Sequence, residues 1–398
     1  MTARIELFPV DNGDMTLITL ESGKRILVDI NIRKDADDQG EDDVPDVGTM
    51  LRDRLDRDAG GRYFVDSFLL THPDADHCRG LERHFHLGKP SDWKEKDDKI
   101  FIRELWSSPI IFRRKEDLDR KLCKDANAWW SEARRRVKVF RDAKSKDSTK
   151  DGDRILVLGE DRDGKTDDLD DIRVDIDENV TRVCGKVDGT FEGLLLAPLP
   201  SKDEDDEESL EKNLSSVIIR FNFRADSKDN AGRYLVAGDA EVEIWKRLWR
   251  KHKKTADNLS YNLLLTPHHC SWHSLSFDSW SDKGEDAELD SDARNALAQA
   301  RAGAFLIASS KPIKDDDDDP PCIRAKREYV AIAKEATGSF LCVMEPDTGD
   351  PDVVLFEIGG NGPKRSTSKS GQGGPVVFGA GGSGSPPPVD KKGGGRYA

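Results

Sequence analysis

The first part of the chain alternates short apolar segments with polar turns, a pattern that predicts β-strands. Residues 4–8, 15–20 and 25–29 carry apolar side chains between turn residues, and the Ser-Gly turn between the last two predicts a hairpin. Residues 47–57 place apolar side chains at helical spacing. The apolar run at 63–70 predicts a buried strand. The chain therefore begins as a mixed α/β domain.

Residues 91–172 interrupt this pattern and are predicted to be an inserted helical and charged elaboration. Within it, 115–144 predicts one or two helices that carry a Trp pair at 129–130 and three arginines at 134–136. These side chains are candidate contacts for an anionic partner. The favoured interpretation is an amphipathic helix with its aromatic side on the core and its charges in solvent. Residues 145–172 are predicted as a charged loop.

The remaining elements complete one predicted domain over 1–358, followed by a tail. Acidic runs at 202–208, 281–291 and 315–319 are predicted as solvated loops. From residue 359 the composition is Gly/Ser/Pro-rich and basic, without periodicity, which predicts a disordered tail. A helix is predicted at 241–254, and the predicted strands are 100–105, 109–112, 193–197, 215–223, 234–237, 263–266 and 353–358.

Composition and charge narrow the class of protein. The chain has 398 residues, of which 36 % are hydrophobic and 35 % charged, so a core is diluted by long polar loops. No apolar run approaches the ~20 residues of a membrane span, and six scattered cysteines indicate reduced thiols, so we expect a cytoplasmic protein with no membrane contact. The net charge of −15 argues against broad electrostatic capture of nucleic acid, although a local groove can differ.

The chemistry is concentrated in one short motif. His72, Asp74, Asp76 and His77 form an HxDxDH pattern directly after the predicted strand 63–70. A tight loop can aim alternate side chains at one point, so that one group faces one metal ion and the next group a second. Polar loops are common after strands, but four ligand-type residues at this spacing favour metal binding. The sequence therefore predicts a site for one or two divalent ions, Zn²⁺ or Mn²⁺.

Five motifs in the same order resemble those of a known family. Together with HxDxDH, they resemble motifs of the metallo-β-lactamase superfamily, which usually has HxHxDH at this place. The aspartate in the second position is similar to the hydrolase domain of competence DNA-uptake channel proteins, the ComEC family. The resemblance runs in pieces from residue 5 to about 358, and its other segments are Val10-Asp11-Asn12-Gly13-Asp14, Leu27-Val28-Asp29, Asn213-Leu214-Ser215-Ser216-Val217, Val236-Ala237-Gly238-Asp239-Ala240-Glu241 and Pro267-His268-His269-Cys270-Ser271.

The resemblance implies a fold, a ligand set and a chemistry. The fold would be an α/β four-layer αββα sandwich with a helical insertion. Asp239 would bridge two metals, and His268 or His269 would be the last ligand. The tighter site would combine Asp76, His77, Asp239 and His268, with Asp76 catalytic. A metal-bound hydroxide would attack a phosphorus or carbonyl centre, and the leading substrate is a phosphodiester, DNA or RNA.

Three departures from the family pattern bear on the substrate more than on the metals. Ala197 stands where the superfamily places a further histidine, so the first metal would keep only His72, Asp74 and Asp239. Cys270 stands where glycine is usual. Asp319 and two prolines stand where a His-Pro pair is common, so a leaving-group acid is absent there. His273, close to the last histidine motif, is a candidate replacement as an acid or supporting group.

Two other functions stay open at this point. One is hydrolysis of a small ester, lactone or cyclic nucleotide, which the net negative charge favours slightly. The other is a non-catalytic scaffold that kept the fold and lost turnover with the missing histidine. The preserved HxDxDH motif, Asp239 and His268 argue against the scaffold, because a decayed site loses several ligands. No protein partner is predicted.

Overall fold

Buried apolar strands organise the chain into two β-sheets. The computed structural model describes residues 2–35, 44–113, 122–143, 149–161, 164–199, 215–346 and 349–366. The predicted acidic loop at 202–208 and nearly all of the predicted tail lie outside the described residues.

The strands are numbered in chain order. They are β1 (Ala3–Leu7), β2 (Thr16–Thr19), β3 (Arg25–Val28), β4 (Ile30–Asn31), β5 (Phe64–Leu70), β6 (Phe85–His86), β7 (Ile100–Ser107), β8 (Arg154–Leu158), β9 (Arg173–Val174), β10 (Asn179–Val180), β11 (Arg182–Val183), β12 (Lys186–Val187), β13 (Phe191–Ala197), β14 (Ile218–Ala225), β15 (Lys228–Val236), β16 (Tyr261–Leu265), β17 (Ala300–Ala308), β18 (Ser339–Cys342), β19 (Val354–Gly359) and β20 (Gly362–Arg365).

The α-helices are numbered in chain order as well. They are α1 (Val47–Arg52), α2 (Ala75–Cys78), α3 (Leu81–His84), α4 (Lys124–Ala143), α5 (Val242–His252), α6 (Pro267–Cys270), α7 (Trp280–Lys283), α8 (Ser291–Leu297) and α9 (Ile323–Glu335). No helix in the described ranges is both long enough and apolar enough to cross a membrane.

Most of the strands belong to two mixed sheets. The first sheet has the order β20-β19-β1-β2-β3-β5-β7-β8-β9, with β6 beside β7, and the second has the order β10-β13-β14-β15-β16-β17-β18. Strands β11 and β12 form a separate hairpin. Each sheet has an antiparallel half and a parallel half, and the parallel half begins with β5 beside β3 in the first sheet and with β16 beside β15 in the second.

Three apolar cores separate four layers. Between the sheets, side chains such as Leu69 and Leu263 are fully buried. On the outer face of the first sheet, Trp129 of α4 packs with Phe68 of β5, and their ring centroids are 5.1 Å apart. On the outer face of the second sheet, Trp245 of α5 is fully buried. Each such side chain contributes roughly 1.5–3 kcal/mol. The predicted four-layer αββα sandwich is therefore confirmed.

The predicted insertion is built into the first sheet and its helical layer. Strand β7 and helix α4 occur where a strand and helices were predicted. Two details were wrong. Residues 109–112 were predicted as a strand but form a 3₁₀ turn that begins at a proline. The segment 145–172 was predicted as a loop but contains β8, which pairs in parallel with β7.

The arginine-rich face of α4 is structural. Trp129 and Trp130 are buried, which confirms the prediction that the aromatic side packs on the core, whereas the prediction that the charges lie in solvent is wrong for Arg136. Arg136 is also buried, and its Nε donates to Glu132 Oε1 at 2.7 Å. Arg135 pairs with the same Glu132 carboxylate. Two of the three arginines therefore neutralise a buried acid, which removes them from the set of candidate contacts for an anionic partner.

The last part of the chain holds elements that the sequence did not predict. Helices α8 and α9 and strands β17 and β18 extend the second sheet and its outer layer. The acidic run at 281–291 is partly helical, because α7 ends in it and α8 begins at its last residue. The last predicted strand corresponds to β19, but the chain then turns back as β20, so regular structure continues beyond residue 359.

Candidate metal centre

Three loops at the carboxyl ends of parallel strands bring the predicted ligands together. The loop after β5 carries His72, and α2 begins shortly after it. The loop after β15 carries Asp239, and α6, directly after β16, carries the His268-His269 pair. Since β5 belongs to one sheet and β15 and β16 to the other, the cluster lies where the edges of both sheets meet.

Gly238 allows the close approach of these loops. Its φ is +48°, and a Cβ there would lie only 2.6 Å from Oγ1 of Thr71. Its carbonyl oxygen accepts a hydrogen bond from the backbone N–H of His268 at 3.0 Å. Only glycine fits this conformation and space without displacing the neighbouring loop. Gly238 thus packs the Asp239 loop against both histidine loops.

One oxygen of Asp239 faces a first group of side chains, which we call the inner half-site: Asp76, His77 and His269. The Nε2 of His77 lies 2.9 Å from Asp239 Oδ1, and the Nε2 of His269 lies 3.5 Å from it. Asp76 Oδ2 lies 3.4 Å from that same His269 nitrogen. The ligand atoms of these four residues all lie within 4.8 Å of one another.

The other oxygen of Asp239 faces a second group, the outer half-site: His72, Asp74 and His268. The Nε2 atoms of His72 and His268 lie 3.5 and 3.7 Å from Asp239 Oδ2. Asp74 Oδ2 lies 3.7 Å from His72 Nε2. All seven residues predicted as ligands are therefore brought together, with Asp239 between the two groups. The prediction that His268 completes the tighter group differs from the structure, which places His269 there.

The donor atoms fit divalent cations. Asp239 Oδ1 and the Nε2 atoms of His72, His77 and His269 are buried without a hydrogen-bond partner among the described residues. Although His77 Nε2 is 2.9 Å from Asp239 Oδ1, the two atoms are not aligned as a hydrogen bond. Buried polar atoms left unpaired are costly, and ligation by a cation would satisfy them.

Without a cation, the buried charges shift one another strongly. Burial raises the pKa of Asp239, but the charges of His77 and the other imidazoles outweigh it and hold that pKa well below its usual range. Burial lowers the pKa of His269, whereas Asp239 and Asp14 raise it to about 10. The pKa of His77 is raised in the same way by Asp239 and Asp29. Protons on these imidazoles therefore occupy the positions that metal ions would take.

Two carboxylates that were not predicted as site residues support the inner half-site from behind. Asp29 Oδ2 lies 2.8 Å from His77 Nδ1, and Asp29 also accepts hydrogen bonds from the backbone N–H and hydroxyl of Thr71. Asp14 Oδ1 lies 3.4 Å from His269 Nδ1. A carboxylate behind an imidazole fixes the ring so that Nε2 points forward. Both residues end motifs quoted in the resemblance, which was the available signal.

A left-handed turn separates the two adjacent histidines. His268, His269 and Cys270 have φ angles of 51°, 52° and 69°, a region that glycine occupies most easily. Cys270 adopts this conformation although it is not glycine, and its side chain is buried. A left-handed L-residue costs roughly 1–2 kcal/mol. The turn sends His268 to the outer half-site and His269 to the inner one.

Two other positions singled out in the sequence are Ala197 and His273. Ala197 is buried at the end of β13 and supplies no ligand atom. His273 is partly exposed, and its Nε2 lies 4.0 Å from Oδ2 of the buried Asp319. Asp319 Oδ1 accepts the backbone N–H of Trp272 at 3.1 Å. Asp319 therefore faces the candidate histidine.

Comparisons with known proteins add little to this geometry. No protein-family profile matches the chain, and neither does any curated protein. Among solved structures, one similar protein is Igni18, a metallo hydrolase from the hyperthermophilic archaeon Ignicoccus hospitalis KIN4/I. It is 9 % identical, with a TM-score of 0.38 over 89 % of this chain and 99 % of that chain.

Proposed function

We propose that this protein is a metal-dependent hydrolase whose substrate is a phosphodiester. The observation that carries the proposal is the position of Asp239. Each of its two carboxylate oxygens faces a different pair of imidazole Nε2 atoms, at 2.9 and 3.5 Å on one side and 3.5 and 3.7 Å on the other. Such a bridging carboxylate is suited to hold two cations close together.

The chain's own residues have distinct tasks in this proposal. Asp76, His77 and His269 would hold one cation with Oδ1 of Asp239, and the outer half-site would hold another with Oδ2. When bound, the cations supply Lewis acidity and acidify a water molecule at neutral pH. The side chains of Asp76, Asp74 and His268 are 34, 20 and 16 % exposed. Substrate would approach along this exposed edge.

The negative charge of the cluster makes turnover of a phosphodiester depend on bound metal. Five carboxylates and four imidazoles form the cluster and its support: Asp14, Asp29, Asp74, Asp76 and Asp239 with His72, His77, His268 and His269. Without cations this group repels a phosphate, so metal both attracts the substrate and activates the site. The resemblance to the hydrolase domain of DNA-uptake channels favours DNA or RNA as the phosphodiester.

His273 is the candidate proton donor to the leaving group, with Asp319 as its positioning residue. Asp319 Oδ2 is buried without a hydrogen-bond partner among the described residues and faces His273 Nε2. A carboxylate in this position can orient an imidazole. The variant His273→Ala should slow substrates with an alkoxide leaving group much more than bis-p-nitrophenyl phosphate, whose leaving group needs no acid. Equal slowing of both would remove this role.

The proposal is tested by metal content followed by substrate cleavage. The purified protein is analysed for Zn, Mn, Fe and Mg, stripped with chelator, and assayed on linear DNA, RNA and bis-p-nitrophenyl phosphate with Mn²⁺ or Zn²⁺ added. We expect chelator-sensitive cleavage that Asp239→Asn abolishes. No cleavage of any phosphodiester by the metal-loaded protein would overturn the substrate assignment.

The net charge of −15 favours a second candidate, the hydrolysis of a small ester, lactone or cyclic nucleotide. A small substrate needs no extended basic groove. The same metal-loaded protein is therefore assayed on p-nitrophenyl acetate, a homoserine lactone and cyclic AMP. Turnover confined to one of these, with none on DNA or RNA, would favour the small-substrate reading.

A further inference from the structure

Two thiols meet directly behind the candidate metal centre. Cys78 is the last residue of α2 and follows His77, whereas Cys123 precedes the first residue of α4. Their Sγ atoms are 3.7 Å apart, and both cysteines are reduced. The Cys78 thiol also donates to the carbonyl oxygen of Asp74 at 3.0 Å. The pair thus contacts the loop that carries ligands of both half-sites.

The backbone holds these two thiols in place. Asp125, in the first turn of α4, accepts hydrogen bonds from the backbone N–H groups of Gly80 and Glu82, at 3.0 and 2.9 Å. Lys124 also pairs with the Glu82 carboxylate. These contacts hold the backbone segment that follows Cys78 and the start of α4 next to each other.

The surroundings of Cys123 suit a nucleophilic thiolate. It lies at the N-terminus of a 20-residue helix, and the backbone N–H of Ala126 donates to its Sγ at 3.4 Å. The helix N-terminus and this backbone contact both favour the thiolate form of Cys123. Cys123 is partly exposed, whereas Cys78 is buried. An oxidant from solvent would therefore meet Cys123 first.

We propose that Cys78 and Cys123 form a redox-controlled disulfide that weakens metal binding at the inner half-site. The Cys123 thiolate attacks a low-molecular-weight disulfide and releases one thiolate, leaving a mixed disulfide. The Cys78 sulfur then attacks the Cys123 sulfur, and its proton passes to the second thiol released. Two protein thiols are oxidised by two electrons, and one small disulfide is reduced to two thiols.

Bond formation would disturb the ligands next to Cys78. A disulfide bond is about 2.05 Å long, so the sulfurs must approach from 3.7 Å by more than one ångström. Cys78 would also lose the proton that it donates to Asp74. Asp76 and His77 lie on the same four-residue helix as Cys78 and would shift with it. This effect rests on the proposed metal site, whereas the disulfide itself does not.

The test uses the full-length reduced protein with oxidised glutathione near neutral pH. Free thiols are counted, disulfides are mapped by peptide mass spectrometry, and Mn²⁺ affinity is measured before and after oxidation. Cys184→Ser is the matched control, because the Cys184 thiol is also half-buried but bonds the Asp66 carbonyl. Wild type and this control should lose two thiols to a 78–123 disulfide. Cys123→Ser should remain reduced, and Cys78→Ser should stop at a mixed disulfide on Cys123.

Oxidation should lower the Mn²⁺ affinity about 10-fold or more, which dithiothreitol should reverse. A folded protein whose other thiols react while residues 78 and 123 stay reduced would overturn the proposal. A 78–123 disulfide that leaves the Mn²⁺ affinity unchanged would overturn its control of the metal. Failure of the reduced protein to bind Mn²⁺ or Zn²⁺ would instead count against the proposed hydrolase, since the thiol measurements need no metal.

Discussion

The inner and outer half-sites share one carboxylate but differ in what stands behind their imidazoles. In the inner half-site, the Nδ1 atoms of His77 and His269 face the buried carboxylates of Asp29 and Asp14. In the outer half-site, the Nδ1 of His72 lies 3.1 Å from the hydroxyl of Thr71. The Nδ1 of His268 is buried without a hydrogen-bond partner in the described part of the chain.

This difference predicts an order of binding. A carboxylate behind a ligating imidazole fixes its orientation and makes it a stronger donor. The side chains of His77 and His269 are also fully buried, whereas that of His268 is partly exposed. We therefore expect the inner half-site to bind its cation first and more tightly, with the outer one filling at higher metal concentration.

The largest effect should come from the residue that both half-sites share. Asp239→Asn keeps the shape but removes the charge between four imidazoles, so both cations should be lost. Loss of several kcal/mol of Lewis-acid stabilisation should lower kcat/KM by at least about 10³-fold. Elemental analysis and phosphodiesterase assays measure this, with circular dichroism to confirm folding. One cation retained in full would mean that the half-sites are independent.

The pair Asp76→Ala and Asp74→Ala separates the half-sites directly. Asp76→Ala should abolish hydrolysis, because it removes a ligand from the better-supported half-site. Asp74→Ala should reduce activity less and leave one equivalent of metal bound. Neither change touches β5, so thermal stability should change little beyond the lost metal linkage. Equal losses would show that the two cations act as one unit, and an active Asp76→Ala variant would remove the metallohydrolase proposal.

Metal identity gives a related prediction. Three carboxylates, Asp74, Asp76 and Asp239, contribute oxygen ligands to the cluster. Hard oxygen ligands shift preference toward Mn²⁺ relative to a site made only of histidines. Stripped protein should therefore regain more activity with Mn²⁺ than with Zn²⁺. Full activity of the zinc form, unaffected by added Mn²⁺, would contradict this expectation.

Much of this site could be predicted because its ligands occupy short motifs at strand ends. HxDxDH, Asp239 and the histidine pair need only local spacing to be found. The roles of Asp14 and Asp29 could not be derived, because they depend on loops far apart in sequence meeting behind the imidazoles. The sequence predicted His268 in the tighter group, whereas the structure places His269 there. This difference follows from three consecutive left-handed residues, a conformation that the sequence around Cys270 argues against.

The fold shows the same division. Segments such as β5 were predicted, because burial on both faces leaves mostly apolar side chains, here interrupted by Asp66 and Ser67. The segment of α8 and α9 was missed, since its many charged residues conceal the apolar stripe. Strand β20 contains a proline and lies at the sheet edge, where strands have weak sequence signals.

A moderate effect should separate the supporting carboxylates from the ligands. Asp29→Asn should lower metal affinity roughly 10- to 100-fold, because His77 loses the charge behind Nδ1. Excess metal should restore much of the activity. Titration with Mn²⁺ monitored by calorimetry measures the shift, and Asp66→Asn, a buried carboxylate of β5 bound to Arg25 and Arg103, is the control. If no metal concentration restores the activity of Asp29→Asn, the role of Asp29 is not limited to orienting His77.

The smallest effect is expected from pH on the metal-free protein, and its sign distinguishes protonated from metal-bound imidazoles. Asp239, Asp14 and Asp76 face His269 and raise its pKa from 6.5 to about 10. A raised folded-state pKa gives stability that is complete below pH 6.5 and lost as the pH rises toward 10. The Tm of chelator-treated protein should therefore fall across this range.

Metal binding releases these protons, so the gain in Tm on adding Mn²⁺ should grow over the same range. His269→Gln should flatten both trends, and a metal-free Tm that rises with pH would show that the inner imidazoles are neutral without metal.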